Sequence, residues 1–177
     1  MTARISDTLA LGLQFHRAGR LSQAEEMYRE VLDRDPDNAD AAHLFGVLAQ
    51  QCSQPEVALE AIRRAIELRG DRADFHNNLG EVYRTLKRFP EATACYRRAL
   101  ELDSGYADAC NNLGLVCQQE GRLEAAVAHY REALRLQPAF PEVHNNLGNI
   151  CKEERRLEDA IEHYRLALRF NPRFPEA

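Results

Sequence analysis

The tetrapeptide Asn-Asn-Leu-Gly occurs three times in this chain of 177 residues, at 77–80, 111–114 and 145–148, with a step of 34 residues. The same step carries its glycine back to Gly46 and Gly12. A fixed period of this length is the signature of a repeat architecture. We therefore predict one domain, residues 1–177, built from repeats at 5–38, 39–72, 73–106, 107–140 and 141–174, with 175–177 opening a sixth.

Each repeat is predicted to be two helices. In the fourth, Leu113 and Val116 share one face of a first helix, Gly121 ends it, and an apolar stripe that includes Tyr130 marks the second. The small residues remove bulk where the two helices cross, and a large residue fills the space beside them. Because one hairpin cannot bury its apolar faces alone, successive hairpins must stack. Three positions carry this pattern: Gly12, Gly46, Gly80, Gly114 and Gly148; Ala24, Ala58, Ala92, Ala126 and Ala160; Tyr28, Ile62, Tyr96, Tyr130 and Tyr164.

These Leu-Gly, Ala and aromatic positions, with Pro36, Pro138 and Pro172 just past the ends of second helices, resemble the tetratricopeptide repeat over residues 5–174. The resemblance implies an all-α, right-handed superhelical solenoid of five repeats, with first helices lining a concave groove and second helices facing outward. The second repeat departs from the pattern, since Ala49, Ser53 and Gly70 replace the usual aromatic, Gly and Pro.

The predicted binding surface is the set of polar side chains on the first helices. An amide carries both a donor and an acceptor, so it can pair with the N–H and the C=O of an extended peptide. A column of amides then holds a peptide without reading much of its sequence. The alternative is that the asparagines hydrogen-bond between adjacent repeats. The candidate peptide-binding residues are Asn77, Asn78, Glu81, Asn111, Asn112, Gln118, Asn145, Asn146 and Asn149.

The second Asn of each pair resembles the asparagine ladder of O-linked N-acetylglucosamine transferases, whose bacterial relatives carry the His-Asn-Asn-Leu-Gly found here at 76–80 and 144–148. This resemblance implies a substrate-recruiting arm whose catalytic domain is absent. The ladder lapses at Ala10 and Leu44, and the groove there becomes apolar. That end either holds an apolar partner segment or is covered by the N-terminal helix. Its apolar residues are Leu9, Leu13, Leu44 and Val47.

Other binding classes fit poorly. A clamp for the acidic C-termini of heat-shock chaperones needs lysines, but acids stand at Asp40, Asp74, Asp108 and Glu142 and would repel a carboxylate. A net charge of −5 without a basic block argues against nucleic acid, and no apolar run reaches the length of a membrane helix. Five irregularly spaced cysteines suit a reducing, cytoplasmic compartment.

We expect neither catalysis nor a cofactor, because no phosphate-binding glycine loop or nucleophile motif occurs. His129 and His163 recur at one position, but two histidines without a third ligand are expected to be surface residues and not a metal site. The leading hypothesis is a scaffold that binds a peptide or protein.

The sequence 175–177 matches the opening of repeat five, and the last second helix exposes apolar side chains such as Leu157 and Ile161. Two expectations follow: the chain is the N-terminal part of a longer protein, or it stacks end to end with another copy.

Overall fold

In a computed structural model, residues 4–173 are described, and they form ten α-helices joined by short turns. The predicted all-α fold of helix–turn–helix repeats is confirmed, because the helices follow one another as five hairpins. The predicted start of a sixth repeat at 175–177 lies outside the described residues. The helices are α1 (Ile5–Arg17), α2 (Leu21–Arg34), α3 (Ala39–Gln51), α4 (Pro55–Leu68), α5 (Ala73–Thr85), α6 (Phe89–Leu102), α7 (Ala107–Gln119), α8 (Leu123–Leu136), α9 (Pro141–Glu153) and α10 (Leu157–Phe170).

The two helices of each hairpin cross at the glycine of the first helix. A Cβ placed on Gly114 would come within 2.4 Å of the Tyr130 ring, and one on Gly80 within 2.5 Å of the Tyr96 ring. Both tyrosines are fully buried. The glycine is therefore required by packing, as predicted. In the second hairpin Ile62 takes the place of the tyrosine against Gly46.

The turn inside each hairpin has one residue in the left-handed region, at a position that recurs with the repeat. The residue after it donates its N–H to a carbonyl five residues earlier, as Arg122 does to Cys117 at 2.8 Å, so the end of the first helix is capped by the backbone. Only two of the five left-handed residues are glycine. They are Gly19, Ser53, Lys87, Gly121 and Arg155, with φ between 57° and 74°.

The chain divides into two compact units, residues 1–102 and 103–177, here called the N-terminal and C-terminal units. In the N-terminal unit, α2 packs on α3 and α4 on α5. In the C-terminal unit, α8 packs on α9. Within each unit, a hairpin thus buries its apolar side against the hairpin that follows it, through its second helix.

The three cysteines on α7 and α9 are buried, and all five in the chain are free thiols. Cys117 and Cys151 are 3% and 5% exposed. At this burial they act as small hydrophobic core residues.

Candidate functional site

The paired asparagines do not share one environment. The first member of each pair is inside the protein: Asn77 is 5%, Asn111 8% and Asn145 4% exposed. Asn112 is also buried. Only Asn78 and Asn146 keep partial exposure, so these two are the pair members that the first-helix surface presents.

Asn78 and Asn146 each connect their repeat to the preceding one. The Asn78 Nδ2 donates to His43 Nε2 at 2.8 Å, and the Asn146 Nδ2 donates to Asn111 Oδ1 at 3.1 Å. His43 and Asn111 occupy the same repeat position, so one hydrogen bond recurs in both units. The inter-repeat role that the sequence left open is therefore observed for these two asparagines. The buried Oδ1 of Asn145, at the next occurrence of the acceptor position, has no hydrogen-bond partner among the described residues.

His43 is a buried acceptor in the N-terminal unit. Its ring stacks on Phe75 with centroids 4.2 Å apart. Burial lowers the pKa of His43 to about 4, although the charge of Asp74 opposes the shift. The imidazole is therefore neutral at physiological pH, with its proton on Nδ1 because Nε2 accepts from Asn78.

The acidic rim of the N-terminal unit is compensated by two arginines. Asp40 pairs with Arg69 and Arg72, and Asp74 pairs with Arg72 at 2.6 Å. Burial acts to raise the pKa of Asp74, but the hydrogen bond and the charge of Arg72, with smaller contributions from His43 and a backbone hydrogen bond, together lower it. On the C-terminal unit, by contrast, burial and the charge of Glu142 raise the pKa of Asp108.

A surface groove lies on the first helices of the C-terminal unit. It has a volume of about 370 Å³ and is lined by Leu115, Gln118, Gln119, Asn146 and Glu153. The structure thus brings two of the predicted binding residues, Gln118 and Asn146, to one cavity.

Each of the two side-chain amides in this groove has one of its two hydrogen-bonding atoms engaged within the protein. The Gln118 Oε1 accepts from the Tyr130 hydroxyl at 2.8 Å, which leaves its Nε2 donor without a partner among the described residues. The Asn146 Nδ2 donates to Asn111, which leaves its Oδ1 acceptor similarly unused within residues 4–173. One donor and one acceptor, both held in place, therefore border the groove.

Tyrosine hydroxyls orient the polar residues, a role that the sequence reasoning missed. Besides Tyr130, the Tyr164 hydroxyl donates to Asn149 Oδ1 at 2.8 Å. Glu81, also a predicted binding residue, is half-buried on α5. The sequence carries only half of this signal: the tyrosines recur at one repeat position, but Gln118 and Asn149 stand at different positions, since the residue 34 after Gln118 is Lys152.

His163 contacts His144 across the fifth hairpin, with Nδ1 atoms 3.3 Å apart. Burial lowers the pKa of both histidines. No cluster of three or more His, Cys, Asp or Glu able to hold a metal ion occurs within residues 4–173. In the same part of the chain, no helix is both long and apolar enough to cross a membrane.

Two models of the tetratricopeptide repeat match the chain, one over residues 71–139 and the other over residues 9–51 and 111–175. The second covers more than half of the chain, which therefore belongs to the tetratricopeptide repeat family. No curated protein matches it significantly.

Solved structures share the fold. Pseudomonas aeruginosa pilF is 28% identical with a TM-score of 0.84, over 94% of this chain and 76% of that one. A thermophilic tetratricopeptide repeat protein of Thermus thermophilus is 22% identical with a TM-score of 0.86, over 97% and 93%. YrrB, described as having an unusual peptide-binding site, is 20% identical with a TM-score of 0.66, over 94% and 86%.

Proposed function

We propose that the chain is a protein-interaction scaffold that holds an extended peptide in the groove between α7 and α9. The observation that carries the proposal is the pair of half-used amides, the Gln118 Nε2 donor and the Asn146 Oδ1 acceptor. Such a pair complements a peptide backbone, which offers one N–H and one C=O per residue. The function is binding without catalysis.

Charge gives the groove a preference. Glu153 lines the groove, whereas Asp108 and Glu142 lie in the first turns of the two helices that form it, and none of the three carboxylates has an ion-pair partner among the described residues. Opposite charges steer association and suppress wrong partners. The peptide is therefore a basic one. YrrB, with its peptide-binding site on the same fold, agrees with this use of the repeats.

The test is fluorescence polarisation with a short labelled peptide of alternating serine and lysine, beside a serine and glutamate counterpart. We expect the lysine peptide to bind more tightly, and N-methylation of its backbone amides to abolish binding because Asn146 Oδ1 loses its donor. Equal binding of the N-methylated peptide would refute backbone recognition.

A matched pair of variants separates binding from folding. N111L/N146L converts the polar contact in the C-terminal unit to the leucines that repeats one and two carry as Leu9 and Leu44. We expect it to lower peptide affinity at least fivefold, about 1 kcal/mol. The same change in the N-terminal unit, H43L/N78L, is the control and leaves affinity unchanged.

A second proposal rests on the His-Asn-Asn-Leu-Gly motif at 76–80 and 144–148, which resembles glycosyltransferase repeat regions. On this proposal the groove recruits the protein substrate of a catalytic domain encoded in the same reading frame. Sequencing of the complete gene tests it directly, since a reading frame without such a domain contradicts it.

A further inference from the structure

A second cavity lies on the N-terminal unit, between α2, α3 and α4. It has a volume of about 290 Å³, and its lining is mostly apolar, with Leu32, Phe45 and Val57 among its residues. Ala42 and Ala61 also line it. Val57 is 39% exposed, whereas the same position in repeats three and five carries Glu91 and Asp159. An apolar side chain thus stands at the surface where repeats three and five are charged.

The repeat register explains why space is left here. Ala42 and Ala61 correspond, three repeats on, to His144 and His163. Those two rings contact each other, with centroids 5.6 Å apart, and occupy the equivalent space in repeat five. Repeats three and four carry one histidine and one cysteine at these positions. The second repeat, with alanine at both, leaves room of the size of an aromatic ring.

The charge beside the cavity selects what can enter. Arg64 is compensated by Asp37 at 2.6 Å and Glu67 at 3.6 Å. Glu60, which also lines the cavity, has no ion-pair or hydrogen-bond partner among the described residues. Among the residues that line the cavity, the charge without a partner is therefore negative, and it is exposed next to an apolar recess.

We propose that this cavity is a second docking site, which takes one aromatic side chain of a partner protein flanked by a lysine or arginine that pairs with Glu60. Interfaces are anchored by aromatic side chains in pockets of this kind. The site is on a different unit and on different helices from the groove between α7 and α9, so it is distinct from the peptide site.

The test uses the ¹⁵N-labelled full chain and two blocked dipeptides, Ac-Phe-Arg-NH₂ and Ac-Phe-Glu-NH₂, in NMR titrations. We expect amide shifts centred on Ala42, Val57 and Ala61, with the arginine dipeptide binding about twofold to fivefold more tightly, the range of one exposed ion pair. In E60Q this preference disappears. Equal affinity for the two dipeptides overturns the proposal in favour of a site for small apolar molecules.

Filling the cavity is the decisive variant. A42H/A61H introduces the histidine pair that repeat five already accommodates, and we expect it to abolish the shifts. A61C, the residue of repeat three at Cys95, fills less space and weakens binding without a second substitution. The control is A94H, which adds the same side chain at an exposed position of α6 and leaves binding intact. Unchanged dipeptide affinity in A42H/A61H and A61C, or shifts that centre elsewhere, overturns the proposal.

Discussion

At the scale of the residue, His43 makes stability depend on pH. Its folded-state pKa is lowered to about 4 by burial, while an unfolded histidine titrates near 6.5. Below about pH 6.5 His43 binds a proton in the unfolded chain but not in the folded one, so stability falls as the pH drops toward 4. Between about pH 7.5 and 5 we expect the titration of His43 to lower the free energy of unfolding by about 2 kcal/mol. H43N keeps an acceptor for Asn78, as Asn111 does for Asn146, and removes the titration.

The measurement is urea unfolding of wild type and H43N at both pH values. The loss of stability at the lower pH should be smaller in H43N, while His144 and His163 contribute equally to both proteins and cancel in the comparison. H76N serves as control, because His76 donates only to the Gly70 carbonyl at the surface. If H43N and wild type lose the same stability, burial of a neutral His43 is not the cause.

At the scale of the element, the hairpin turns differ in the strain they carry. Lys87 has φ 59°, in a region where a side chain costs about 1–2 kcal/mol relative to glycine. K87G should therefore stabilise the protein by about 1 kcal/mol, because it relieves the third turn. K87A, which keeps the strain, should give no such gain. G121A should destabilise by a similar amount, although nothing lies within 4 Å of the added Cβ. Chemical denaturation reports all three, and a stabilisation by K87A equal to that by K87G would attribute the effect to the lysine side chain.

At the scale of the whole molecule, α10 presents an apolar face that favours association of two copies. Leu157 is 60% and Ile161 48% exposed, one turn apart. A head-to-tail stack would place Ala10 of one copy opposite Asn145 of the next, and alanine has no side-chain donor for the buried Asn145 Oδ1. We therefore expect a two-fold dimer in which α10 of one copy contacts α10 of the other. Sedimentation velocity over a range of concentrations should show a dimer that L157E/I161E abolishes. Loss of the dimer in L11E would instead indicate head-to-tail stacking. V57E is the control, because Val57 is exposed to nearly the same extent as Leu11 but lies on α4.

Periodicity predicted the helices well and the environment of single polar residues poorly. The 34-residue step placed Gly114 against Tyr130, because only a close crossing explains a recurring glycine beside a recurring tyrosine. It could not separate Asn77 from Asn78, since neighbours on a helix point about 100° apart and the packing of the next hairpin decides which is buried. That the asparagines bind a peptide stays a prediction, as do the single-domain boundaries. The cavity at Ala42 and Ala61 could have been predicted from the sequence, by comparing the two alanines with the histidines at the same repeat positions.

The hydrogen bond between successive repeats also bears on how such a chain grows by gene duplication. A duplicated fifth repeat, inserted behind the original, would bring a second Asn146 side chain toward the unpartnered Oδ1 of Asn145. The copy would thus supply a donor to the Asn145 oxygen of the original repeat. A copy of the second repeat would instead set Leu44 against that carbonyl and leave it buried without a donor. A repeat that follows the fifth therefore satisfies this oxygen only if it carries a side-chain donor at the position of Asn146.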